Sequence, residues 1–124
     1  MKSKILIVDD DPRIAKMYTA TLESAGYQVE SVSDGESALT YVKKERPELI
    51  LLDVMIPKIN GLDVLDILKS TEEASGAKII VLTALSGEEI EEKAKNLGAS
   101  AFLTKSETSM KGVMDTVEGL IKSE

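Results

Sequence analysis

The stretch ILIVDDDPRI, residues 5–14, decides how this chain folds. Its leading residues, Ile5, Leu6, Ile7 and Val8, form an apolar run without alternation, the mark of a strand covered on both faces. Such a strand belongs inside a parallel sheet. Asp9, Asp10 and Asp11 follow at once, where crowded carboxylates repel and raise one another's pKa. Asp11 has a local explanation, because Asp before Pro12 reads as a helix N-cap with proline at the first helical position. Asp9 and Asp10, taken alone, also suit a turn.

The same grammar recurs along the chain. Apolar runs alternate with amphipathic segments and predict strands over 4–8, 28–32, 48–53, 78–83 and 101–104. The intervening helices are expected over 12–25, 36–45, 62–74, 88–97 and 108–123. This alternation is that of βαβ units, an α/β domain with a parallel sheet and helices on both faces. Gly26 and Gly98 fall where helix C-termini need a left-handed residue, and Pro47 precedes the third strand. In the last helix Met110, Val113, Met114, Val117, Leu120 and Ile121 form one stripe suited to packing on the sheet. With 124 residues and neither linker nor repeat, the expectation is one domain over 1–124.

Composition narrows the chemistry. Fifteen basic against twenty-two acidic residues give a net charge of -7, which repels a phosphate backbone and argues against direct nucleic-acid binding. The absence of cysteine excludes disulfides, zinc thiolate sites and thiol catalysis. The absence of histidine removes catalytic triads and most general-base schemes. The N-terminal MKSK leads into too short an apolar run for a signal peptide or a membrane span, so a cytoplasmic soluble protein is expected.

The residues that end the apolar runs carry the functional signal. The first run ends in Asp9 and Asp10, the third in Asp53 (LILLDVMIP), the fourth in Thr83 (IIVLTAL) and the fifth in Lys105 (FLTKSET). Open parallel sheets bind ligands at the carboxyl ends of their strands, so these side chains are expected to meet. Individually, Thr83 also suits a strand as a β-branched residue and Lys105 a solvated surface. Asp53 follows an unbroken apolar run, Leu49 to Leu52, where an unpaired carboxylate is costly to keep ionised. A bound divalent cation reverses the cost of crowding. Magnesium takes hard oxygen ligands, one or two of them carboxylates, keeps several waters and commonly completes its shell with phosphate.

With Asp9, Asp10, Asp53, Thr83 and Lys105 in view, the sequence resembles the receiver domain of two-component response regulators over essentially its whole length. The segment DVMIPKINGLDVL is similar to that family's loop after the phosphorylated aspartate, with Pro57 and Gly61 in their usual places. The resemblance implies a flavodoxin-like, doubly wound five-stranded sheet of order 2-1-3-4-5 with five helices, the order known for chemotaxis receivers.

It further implies that Asp53 accepts a phosphoryl group from a phosphohistidine on a sensor histidine kinase or phosphotransfer protein. Asp10 and Asp53 are implied as direct Mg2+ ligands, Met55 as a ligand through its backbone carbonyl, and Asp9 as one acting mainly through water. Lys105 is implied to pair with Asp53 or a phosphoryl oxygen, and Thr83 to hydrogen-bond the phosphoryl group. The implied switch turns Thr83 toward that group while Phe102 rotates inward. A surface of the fourth helix, fifth strand and fifth helix would then meet a downstream protein. On this reading the chain is a phosphoacceptor signalling domain and not an ordinary enzyme.

Three departures from the family pattern matter. Ser106 follows Lys105 where relatives usually carry proline, and Phe102 lacks the hydroxyl of the tyrosine found in many relatives. Met55 and Leu85, two residues past Asp53 and Thr83, are apolar where polar side chains help align an attacking water, so slow autodephosphorylation is expected. Two other readings compete. Asp9 and Asp11 form a D-x-D similar to haloacid-dehalogenase-type phosphatases, but that family needs another acidic pair after its lysine, and Asp115 and Glu118 fall inside a predicted helix. A pseudo-receiver without phosphorylation is opposed by the complete set of acidic, hydroxyl and lysine residues.

Overall fold

A computed structural model describes residues 3–122. Five strands, β1 (Lys4–Val8), β2 (Gln28–Val32), β3 (Leu49–Leu52), β4 (Lys78–Thr83) and β5 (Ala101–Thr104), form one sheet of order β2-β1-β3-β4-β5. Every neighbouring pair is parallel, with Ile5 beside Leu49, Leu49 beside Lys78 and Thr83 beside Thr104. The connecting helices are α1 (Pro12–Ser24), α2 (Gly35–Glu45), α3 (Gly61–Lys69), α4 (Glu88–Asn96) and α5 (Met110–Lys122). This is the doubly wound flavodoxin-like arrangement expected from the sequence. The predicted end of the last helix at Ser123 lies outside the described residues.

Two apolar layers sandwich the sheet. Leu6, Val8, Ile50, Leu52, Ile79 and Val81 pack on one face against α2, α3 and α4. On the other, Ile5, Ile7, Leu49, Leu51, Ile80 and Leu82 meet α1 and α5. Strict alternation of adjacent residues between the layers explains why β1 and β3 read as unbroken apolar runs. The stripe of α5 faces this second layer, with Val113 and Val117 fully buried and Met110, Met114, Leu120 and Ile121 partly so.

Side-chain caps set the helix starts. Asp11 accepts from the Arg13 N–H at 3.0 Å, Asp34 from Ser37 at 2.7 Å, and Asn60 from Leu62 at 2.8 Å. Ser109 Oγ accepts from the Gly112 N–H at 3.0 Å and starts α5 two residues later than predicted. Gly26 and Gly98 adopt φ of 99° and 101°, as their places after helices require. The predicted helix over 62–74 is corrected: α3 stops at Lys69, and a separate 3-10 turn covers Glu72–Ala74. The backbone turns extended at Thr71, with φ of -98° and ψ of 123°, and this ends the helical ladder.

Candidate functional site

The carboxyl ends of the strands bring distant residues to one rim. Asp9 and Asp10 follow β1, and Asp53 follows β3, with its N–H donating to the Val8 carbonyl at 3.0 Å. Each of Asp9, Asp10 and Asp53 offers a carboxylate oxygen within 4.8 Å of the others. Asp9 and Asp53 are buried, each 6% exposed, whereas Asp10 faces solvent.

Lys105, just past β5, supplies the opposite charge. Its ammonium donates to Asp9 Oδ2 at 2.7 Å and to Asp53 Oδ2 at 2.9 Å. Burial by itself pushes the lysine's pKa down, but the hydrogen bonds and charges of Asp9 and Asp53 outweigh it and hold the value above that of an ordinary lysine. The other Asp53 oxygen, Oδ1, accepts from the Met55 N–H at 3.1 Å. Asp9 Oδ1 accepts from the Asp11 N–H at 2.9 Å. Both buried carboxylates are thus hydrogen-bonded on each oxygen, as their burial demands.

Thr83 is fully buried at the end of β4, and its hydroxyl accepts from the Leu85 N–H at 3.3 Å. The Lys105 N–H donates to the Thr83 carbonyl at 2.8 Å, continuing the ladder past β4 and β5. Phe102 is half-buried on β5, beside Val81, and packs on the layer that includes α3 and α4. Met55 is 57% exposed and half-buried Leu85 packs on the core below, so both apolar residues flank the strand ends. No described peptide bond is cis, so Lys105 and Ser106 are joined in trans.

Gly61 shapes the loop that follows Asp53. A Cβ here would lie 2.2 Å from the Asp53 carbonyl oxygen and 2.5 Å from Val54 Cα, so any larger residue displaces the backbone. A cleft of about 480 Å³ opens beside Asp9 and Asp10, between α1 and the start of α2, with Thr19, Ser31 and Ser33 in its walls. Asp53, Thr83 and Lys105 are not among its lining residues.

The family model described as "Response regulator receiver domain" matches residues 5–117. The chain belongs to this receiver domain family. Among curated relatives, the DNA-binding response regulator MtrA of Mycolicibacterium smegmatis is 45% identical over 84 residues, 68% of this chain and 36% of that protein. The alkaline phosphatase synthesis transcriptional regulatory protein PhoP of Bacillus subtilis is 40% identical over 105 residues, 85% of this chain and 43% of that protein. The receiver thus spans less than half the length of these relatives. Among solved structures, the chemotaxis response regulator CheY4 of Vibrio cholerae superposes with a TM-score of 0.89 at 29% identity, covering 97% of this chain and 99% of that one.

Sequence reasoning missed two features of this receiver. It paired Lys105 with Asp53 but not with Asp9, whose burial only the three-dimensional arrangement reveals. It also gave no role to Asp34, Gly35 or Lys58, which lie on two loops that meet only in the fold.

Proposed function

We propose that this receiver takes a phosphoryl group on Asp53 from a phosphohistidine of a sensor histidine kinase or phosphotransfer protein, with Mg2+ as cofactor. The observation that carries the reading is the setting of Asp53, held between the Met55 amide and the Lys105 ammonium with the exposed Asp10 carboxylate beside it. Three convergent carboxylates suit a hard cation that keeps several waters. Asp10, Asp53 and the Met55 carbonyl would hold it directly and Asp9 through water. When bound, the ion neutralises charge on the phosphoryl oxygens.

The chain's own residues do the rest. The Met55 amide and Lys105 fix the Asp53 carboxylate so that one oxygen forms the new P–O bond as the P–N bond of the donor breaks. Lys105 then stays close to a phosphoryl oxygen. Thr83 gives up its bond from the Leu85 amide to donate to the phosphoryl group, and Phe102 turns inward, altering the face of α4, β5 and α5 that meets a downstream protein. This reading treats 1–124 as one receiver unit and infers a cytoplasmic setting from the family alone. DNA binding belongs to MtrA, and the net charge of -7 opposes it on this chain.

The test is incubation with acetyl phosphate and Mg2+, followed by mass spectrometry to locate the modified residue. Modification of Asp53, lost in Asp53→Asn, is the expected result. Modification of Asp9 would favour the phosphatase reading, and no Mg2+-dependent modification would favour a pseudo-receiver.

A further inference from the structure

The loop between β3 and α3 is anchored at both ends. Its inner end closes where the Gly61 N–H donates to the Val54 carbonyl at 2.9 Å. Its outer tip, residues 57–59, rests on the first turn of α2: the Gly35 N–H donates to the Pro57 carbonyl at 3.3 Å, and a Cβ on Gly35 would come within 2.8 Å of Ile59 Cβ and 2.7 Å of Val64 Cγ2. The tip is a three-residue turn in which the Ile59 N–H donates to the Pro57 carbonyl at 2.8 Å around Lys58 at a φ of 70°.

Among the described residues only Arg46 and Lys58 hold a positive φ without being glycine. Arg46 is the left-handed C-cap of α2, its N–H donating to Val42. Lys58 caps no helix, and a side chain strains its backbone. What a lysine adds there is charge: its ammonium lies 3.9 Å from Asp34 Oδ2, on a side chain only 14% exposed that also caps α2 through Ser37. Met55, whose amide holds Asp53 and whose carbonyl faces the metal in the receiver reading, lies between the two anchors.

We propose that Lys58 and Asp34 are positioning residues for the acceptor loop, their ion pair clamping the 57–59 turn to α2 so that the Met55 backbone is set for Asp53 and Mg2+. The inference rests on the receiver reading. Because the Lys58 end is solvent-exposed, the pair is worth a small factor, about threefold.

The test uses two charge-deleting variants. Lys58→Gly removes the ammonium and relieves the strain, and Asp34→Asn removes the charge while keeping an N-cap side chain. Mg2+ affinity is measured at low salt from the Met55 amide shift in NMR titrations, with hydrogen exchange of the Gly35 amide as a second readout. Each variant is expected to weaken Mg2+ binding about threefold and speed Gly35 exchange, the double variant to be no worse than either, and Lys58→Arg to restore both. Unchanged affinity in the single variants, or additive losses in the double, would overturn the proposal while leaving the receiver reading intact. Wild-type protein indifferent to Mg2+ would overturn both.

Discussion

Lys105 donates to Asp9 at 2.7 Å as well as to Asp53 at 2.9 Å, so one ammonium is shared by the two buried carboxylates of the site. The pair with Asp9 sets an alkaline limit on stability. The lysine's pKa is raised in the folded protein, so its stabilisation is complete below the unfolded value near 10.4 and is lost as pH climbs through the folded one. Thermal unfolding of wild type and Lys105→Met between pH 8 and 12 should converge at the alkaline end. A constant gap across that range would contradict the assignment.

Among the described residues, Asp10 is the one carboxylate of the three with no ion pair to a cation. Its oxygen lies within 4.8 Å of oxygens on Asp9 and Asp53, a repulsion of about 1 kcal/mol per pair in water-like surroundings. Asp10→Asn is expected to raise the melting temperature without Mg2+ by several °C and to remove the further rise that Mg2+ gives the wild type. Calorimetry with and without the ion tests both halves.

Gly61 tolerates no side chain. A methyl group there meets backbone atoms of Asp53 and Val54, which cannot swing away as a side-chain tip does. Gly61→Ala should cost about 3 kcal/mol in denaturant unfolding and shift the Asp53 and Met55 amide resonances. Gly119→Ala, where open space surrounds the added methyl, should not destabilise and serves as the control.

The lifetime of the aspartyl phosphate follows from Met55 and Leu85. Neither offers a hydrogen bond to a water approaching the phosphorus, so hydrolysis with Mg2+ alone is expected to be slow compared with fast chemotaxis relatives. Met55→Asn, which adds an amide worth about 1 kcal/mol of alignment, should shorten the lifetime about fivefold. Phosphate release followed over time decides the matter.

The sheet was legible because β1, β3 and β4 are buried on both faces and run unbroken in apolar residues over Ile5–Val8, Leu49–Leu52 and Ile79–Leu82. The convergence of Asp9, Asp10, Asp53 and Lys105 was legible for a related reason: topology carries every strand end to the same rim, so spacing along the chain stands in for proximity. The end of α3 was not, since Ser70 and Thr71 fit a helical pattern and their residue types do not announce the extended backbone at Thr71. Nor was the sharing of Lys105 with Asp9, which depends on side-chain burial at the rim. The meeting of Lys58 with Asp34 depends on how two loops lie against each other, and periodicity says nothing of loops.

The hydrogen bond from the Lys105 amide to the Thr83 carbonyl ties the main chain beneath the cation to the main chain beneath the hydroxyl. The two groups therefore hang from a common crossbar. In the receiver reading proposed above, a charge arriving at Asp53 would act on two levers with one fulcrum, a route to β5 that leaves the sheet unbent.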